Sequence, residues 1–252
     1  SIHCDRKGAM TKQSEIDYFA KMDAAGRAFA ADKPFAADQR GNYLIDIGQI
    51  LALIRPPPAR LLDLGCGSGW TTAFFARSGY AATGVDVAPE AIRIAMETHA
   101  GSGAIFRGAD MEQLPFTAEF EVAVYYDSLH HAGDESAALR AAWKALAPGG
   151  EIILVEPGRG QARSDISLRA QAQFGVTEKD MPPAHTVPLL KAAGFKAIRV
   201  FPRLQYQMME REPTGGIARL LIPLLGYRLA SLLKSAKNTA LPRGNGIVLA
   251  VK

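Results

Sequence analysis

From residue 59 to residue 157, short apolar runs alternate with amphipathic stretches, and this alternation restricts the fold more than any other feature of the chain. ARLLDLG (59–65), YAATGVDV (80–87), AIFRGAD (104–110), EVAVYYD (121–127) and EIILVEP (151–157) read as strands. The stretches 70–77, 89–99 and 134–146 between them read as helices. Strands spaced by single helices make βαβ units, so the expected class is α/β with a doubly wound, mostly parallel sheet. A helical pattern at 185–194 and strand-like runs at 196–202 and 246–252 complete it. The 134–146 helix shows how the ends are marked. Asp134 can accept from its free N–H groups, Leu139, Trp143 and Leu146 share one face, and Pro148-Gly149-Gly150 prevents continuation. Upstream, 14–31 reads as one helix opened by Ser14, and 43–54 as another, stopped by Arg55-Pro56-Pro57-Pro58.

Composition closes off other classes. With 48% hydrophobic and 21% charged residues in 252, the chain is neither disordered nor fibrous. Two cysteines, Cys4 and Cys66, cannot build a disulfide framework or a structural zinc site. Residues 1–12 are polar, with no apolar run, which argues against a secretory leader. No run of ~18 uncharged apolar residues predicts a spanning helix, so a cytoplasmic enzyme-sized domain is expected. The net charge of +4 comes from one place: residues 203–245 hold seven basic and two acidic side chains. There is no basic stripe interleaved with aromatics, so nucleic acid is not an expected partner.

In a doubly wound sheet the ligand lies beyond the carboxyl ends of the strands, where strand order reverses. The first βα turn reads Asp63-Leu64-Gly65-Cys66-Gly67-Ser68-Gly69-Trp70. Three alternate glycines let the backbone turn tightly against a ligand, and the helix from Trp70 aims free N–H groups at the same space. Asp86 stands 21 residues after Gly65, at the end of the second strand and followed by Val87. A carboxylate there accepts from both hydroxyls of an adenosine ribose.

At these residues the chain resembles the class I S-adenosylmethionine-dependent methyltransferases, over about residues 41–202. DLGCGSG (63–69) is similar to that family's first motif, and Asp86 matches its ribose-binding acid. The resemblance implies a Rossmann-like methyltransferase fold of seven strands, the last antiparallel. It implies S-adenosyl-L-methionine as cofactor, held by Asp63, Gly65, Cys66, Gly67, Gly69, Trp70, Asp86 and Val87. Gly108-Ala109-Asp110-Met111 is similar to the adenine-holding segment, with Asp110 accepting from the exocyclic amine, and Asp63 would hold the methionine amino group, usually through water. Ala88 stands where a Ser or Asp commonly caps the next helix, so a weaker cap is expected there, with Pro89 suiting the first helical position. A nicotinamide oxidoreductase shares the layout, but its fingerprint is GxGxxG, whereas here the third glycine comes one residue early and position 70 is Trp. A protein that binds the cofactor without catalysis is the other alternative.

Methyl transfer to a hydroxyl needs alignment and a base for the proton. The carboxyl ends of the fourth and fifth strands offer Asp127, His130, His131 and Glu156. His130 or His131 is the expected base, with Glu156 orienting it or the substrate. Tandem histidines with such an acid resemble small-molecule sugar O-methyltransferases. Asp127 is placed either beside the cofactor or as a cap. A small-molecule acceptor, most simply a hydroxyl on a sugar or other metabolite, is expected, and no metal. His99 ends a helix, where a cation suits the dipole, and Tyr18 and Tyr43 lie in helices that in this family close over the cofactor.

The resulting organisation is a single methyltransferase domain: helical cap 12–55, core 59–202, inserted helical lid 203–245 and final strand 246–252. The insertion separates two strands that the family pairs. Within it, IARLLIPLLGYRLASLL (217–233) is strongly apolar, and Arg219, Arg228, Lys234 and Lys237 give 217–237 a cationic side. A packing helix, a substrate lid, and contact with a membrane surface or lipid-linked acceptor are the readings open here.

Overall fold

The computed structural model describes residues 3–35, 40–175, 178–205 and 244–252. Seven strands form one sheet: β1 (Arg60–Leu64), β2 (Ala81–Asp86), β3 (Ile105–Gly108), β4 (Phe120–Tyr126), β5 (Leu146–Val155), β6 (Lys196–Pro202) and β7 (Gly246–Val251). Their order is β3-β2-β1-β4-β5-β7-β6. The first five are mutually parallel, and β7 runs antiparallel to both β5 and β6. The chain therefore leaves β1 toward β2 on one side and later returns to β4 on the other. That reversal opens the crevice in which such sheets bind ligands.

The apolar strand runs are covered on both faces, as their composition requires. Because successive side chains point to opposite faces, Leu62, Leu64, Tyr125 and Leu154 pack toward α6 (Glu135–Ala145) and α8 (Pro183–Ala192). Leu61, Val124, Ile153 and Val155 pack toward α3 (Arg40–Leu53) and α4 (Trp70–Arg77). All eight are essentially inaccessible to water, and each contributes about 1.5–3 kcal/mol of burial. Among the described residues the remaining α-helices are α1 (His3–Ala20), α2 (Ala24–Asp32), α5 (Pro89–Thr98) and α7 (Asp165–Phe174).

Local chemistry explains where element bounds depart from expectation. The single helix expected over 14–31 is two, with Ser14 inside α1 rather than at its start. The break falls at Asp23, whose carboxylate accepts from the Gly26 amide at 2.7 Å and caps α2. Helix α7 has no counterpart in the expectation, although Ser164 caps its start and Gly175, at φ 68°, ends it. Strand β5 begins at Leu146 instead of 151, because Leu146 pairs with Phe120 across a register shift. Trp143 is not a core partner of Leu139. It is 36% exposed, and the Lys252 ammonium lies 4.1 Å from its ring centroid. Ala88 begins α5 without a side-chain cap and Pro89 takes the first position, as expected.

The expected antiparallel pairing of 196–202 with 246–252 is present. Residues 217–237, with the lid and membrane-surface readings, lie outside the described residues. Among the described residues no helix is long and apolar enough to cross a membrane. One of the seven charges assigned to the basic segment is elsewhere: Arg203 is buried, with its guanidinium 2.6 Å from Asp46 Oδ2 and 3.0 Å from Asp127 Oδ2.

Candidate active site

A cavity of about 580 Å³ lies over the carboxyl ends of β1, β2, β3 and β4. Its floor is the turn after β1. Gly65, Gly67 and Gly69 have φ of 70°, 52° and 82°, a region L side chains avoid. Space excludes side chains at two of them. A Cβ on Gly65 would lie 2.7 Å from Ser128 Cβ, and one on Gly69 would lie 2.6 Å from Ala95 Cβ. Of these three, Gly65 and Gly67 line the cavity, together with Cys66, Ser68, Trp70 and Thr71; Gly69 lies behind them, letting α4 approach α5.

Asp63 does not line the cavity. Its buried carboxylate accepts from the Thr71 and Thr72 hydroxyls, both at 2.6 Å, and so ties β1 to the first turn of α4. Burial pushes its pKa up to about 6, despite those two hydrogen bonds. Asp86 does face the cavity. Its Oδ2 accepts from the Gly67 amide and Oδ1 from the Ala88 amide, each at 2.9 Å. Those bonds fix the carboxylate and leave lone pairs for a ligand diol. Val87, Ala109, Asp110 and Met111 continue the wall. Asp110 Oδ1 accepts from the Glu112 amide at 2.9 Å, while Oδ2 pairs with Lys12 of α1 at 2.7 Å.

Helices α1 and α2 roof the cavity with Tyr18, Phe19 and Phe29, the turn between them adds Met22, and α3 adds Tyr43. Tyr43, Trp70 and Tyr126 form an edge-to-face row with centroids 5.5 and 5.6 Å apart. Asp127 follows β4 at φ 46°, a strained conformation for a residue with a Cβ. Both its oxygens meet the Arg203 guanidinium at 3.0 Å, which holds the carboxylate at the cavity wall.

The two histidines expected to share one role occupy different places. His130 is buried and does not line the cavity. Its Nδ1 lies 2.7 Å from Glu156 Oε2, and Glu156 also accepts from the amides of Ser128, Leu129 and His130 at 3.0, 2.8 and 3.3 Å. One buried carboxylate thus caps the whole turn after β4 and sets the imidazole orientation. His131 is the one that lines the cavity, with its ring centroid 4.0 Å from that of His130. Its Nδ1 lies 3.3 Å from Glu15 Oε1 of α1. Burial lowers the His131 pKa, but the hydrogen bond and charge of Glu15, with Glu178 and Glu156 nearby, outweigh it and raise the pKa to about 9.

Glu178 was not anticipated. It lines the cavity, and its Oε2 accepts from the Ser167 hydroxyl at 3.0 Å and lies 3.9 Å from His130 Nε2. It sits in a polar stretch with no pattern, so nothing in the sequence marks it. His130, His131 and Glu178 bring donor atoms within 4.8 Å of one another, a set that a divalent ion could use. His99 ends α5 as its C-cap; burial lowers its pKa, and its Nε2 is buried without a hydrogen-bond partner.

Residues 62–154 match a family model described as a methyltransferase domain. A protein of Xanthomonas axonopodis pv. citri (strain 306), named ubiquinone biosynthesis O-methyltransferase, is 32% identical over 166 residues, 64% of this chain and 68% of that one. Among solved structures, phosphoethanolamine N-methyltransferase 2 of Haemonchus contortus in complex with S-adenosyl-L-methionine superposes with a TM-score of 0.61 at 20% identity, covering 94% of this chain and 59% of that one. An S-adenosylmethionine-dependent methyltransferase from Mesorhizobium loti gives 0.56 at 21% identity, covering 82% and 95%. Fold, glycine turn, the cavity-facing acid at the end of β2 and these likenesses agree: the chain belongs to the class I S-adenosylmethionine-dependent methyltransferases.

Proposed function

We propose that the methyl acceptor is a hydroxyl of a small molecule, a sugar or another hydroxylated metabolite, and that His131 takes its proton. The observation that carries this reading is the cavity-facing imidazole of His131, packed at a tilt against a second imidazole that Glu156 fixes in place. Gly65 and Asp86 would hold S-adenosylmethionine, which would supply a methyl group on a sulfonium, S-adenosylhomocysteine leaving as the acceptor oxygen attacks in line. The chain's own residues must then align the acceptor and receive its proton. Glu15 and His131 stand together at the wall for that purpose, and Glu178 adds an acceptor for a substrate hydroxyl. The roof of α1 and α2 supports a small acceptor, and the cavity volume is within the range of about 300–1,000 Å³ usual for small-molecule sites. The relative named for O-methylation points the same way. No step in this reading requires a metal.

The deciding experiment is a methyl-transfer screen of purified protein against hydroxylated small molecules, sugars included, with and without EDTA. Transfer to a hydroxyl compound, unchanged by chelation, is the expected result. Transfer only to amines, or activity that EDTA abolishes and a divalent ion restores, would refute it. The ribose site has a separate test. Asp86→Ala should weaken S-adenosylhomocysteine at least tenfold, about 1.4 kcal/mol, through loss of charge-assisted hydrogen bonds. Calorimetry returning the wild-type affinity would remove Asp86 from that role.

A further inference from the structure

Three glutamates surround the paired imidazoles, and two of them are already matched. Glu156 accepts three amide hydrogens and meets His130, and Glu15 lies 3.3 Å from His131 Nδ1. Glu178 differs. Its side chain lines the cavity, 11% exposed, and the buried Ser167 hydroxyl, 3.0 Å from Oε2, orients the carboxylate without neutralising it. His130 Nε2 is 3.9 Å away, too far for a hydrogen bond. Neighbouring ammonium groups are engaged elsewhere: Lys12 lies 2.7 Å from Asp110 Oδ2 and 2.9 Å from Glu112 Oε2, and Lys179 lies 2.7 Å from Glu135 Oε1. Among the described residues Glu178 thus has no lysine or arginine as an ion-pair partner. Its charge is felt across the wall: burial lowers the His131 pKa, and Glu178 joins Glu15 in raising it to about 9. A carboxylate held away from water without a counter-charge is costly, and a ligand cation would balance it.

Distance identifies where on the acceptor that cation sits. Ligating atoms of His130, His131 and Glu178 lie within 4.8 Å of one another. With the reacting hydroxyl on His131, a group on the next carbon therefore reaches Glu178, both at ordinary hydrogen-bond lengths of about 2.8 Å. An ammonium there forms an ion pair, whereas a second hydroxyl leaves the charge of the carboxylate unbalanced. A phosphate or carboxylate on the acceptor would instead meet Glu15, Glu112 and Glu178, all on the wall, and like charges repel. The backbone that carries Glu178 is also tied down. Lys179 donates to the Ala132 carbonyl at 2.7 Å, and Asp180 accepts from the Gly160 and Ala162 amides, both at 2.9 Å. The carboxylate is therefore placed before the acceptor arrives, which lowers the cost of binding.

We propose that the acceptor is an amino alcohol, with an ammonium on the carbon next to the reacting hydroxyl, and that Glu178 selects it by taking that ammonium. Amino sugars fall within this class, and the proposal rests on the reading of His131 as base for a hydroxyl. The test offers the full chain two matched sets, each of a cation, a neutral compound and an anion. One is glucosamine, N-acetylglucosamine and glucuronate, and the other is phenylethanolamine, phenylethylene glycol and mandelate. Mass spectrometry places each transferred methyl group on oxygen or nitrogen. In at least one set the cation should be methylated on oxygen with a kcat/KM about tenfold or more above that of the neutral compound, and the anion should come last. Glu178→Gln keeps the shape and removes the charge, so it should abolish that preference, and Glu178→Lys should turn it toward the anion. Melting curves establish that each variant is folded before rates are compared. O-methylation that favours the neutral or anionic members, or a cation preference that survives Glu178→Gln, overturns the proposal while the hydroxyl reading stands. Methyl groups on nitrogen alone overturn both, and transfer to neither cation overturns the proposal.

Discussion

Replacing Glu156 with alanine should cost about 3–5 kcal/mol of stability and lower turnover a hundredfold or more. This side chain is 2% exposed, and its two oxygens accept three amide hydrogens and meet one imidazole nitrogen. Without it, the turn after β4 keeps three buried N–H groups with no acceptor, each worth roughly 1–3 kcal/mol of desolvation. For a chain of this size the loss corresponds to a fall in melting temperature of roughly 10 °C. Glu156→Gln separates folding from chemistry. Its carbonyl oxygen can still accept from the Ser128 and Leu129 amides, so most of the stability should return. Its amide presents no carboxylate to His130, so turnover should remain low. An alanine variant that melts with the wild type would show that the turn is held by something else. A glutamine variant with full turnover would show that the orientation of His130 does not matter to the reaction.

How much of this could be read in the sequence follows from which interactions are local. The β1 turn was legible because glycine at alternate positions is itself a statement about φ, and Gly65, Gly67 and Gly69 all have positive φ. Asp86 was legible because its position at the end of β2 follows from strand length. The division of labour between His130 and His131 was not. It depends on which ring Glu156 reaches from 26 residues away and which one Glu15 reaches from α1. Arg203 shows the limit most plainly. Within its own segment it counts as one more basic residue, and only the fold carries it to Asp46, 157 positions earlier. The same holds for Lys12 and Asp110, 98 positions apart, which link the roof to the cavity wall beyond β3. Elements and motifs follow from short-range pattern, whereas ion pairs between distant segments exist only after the sheet order is set.

Turnover should rise with pH and level off only near 9, if His131 receives the acceptor's proton. In the folded chain its pKa stands at about 9, above the ordinary 6.5, so at neutral pH most molecules hold an imidazolium that cannot act as a base. The active fraction therefore grows as pH climbs through that value. Glu15 is the largest favourable cause of the shift, so Glu15→Gln should move the limb from about 9 toward 6.5 and raise relative turnover at pH 7. His131→Gln should remove the limb and lower turnover about 10²-fold or more, while S-adenosylhomocysteine affinity stays near that of the wild type. These variants answer a question of chemistry, because a sulfonium is reactive enough for alignment alone to be sufficient. A pH-independent rate, or full turnover in His131→Gln, would show that the acceptor loses its proton to water and that His131 only lines the cavity. A limb that stays near 9 in Glu15→Gln would assign the titration to another group on the wall.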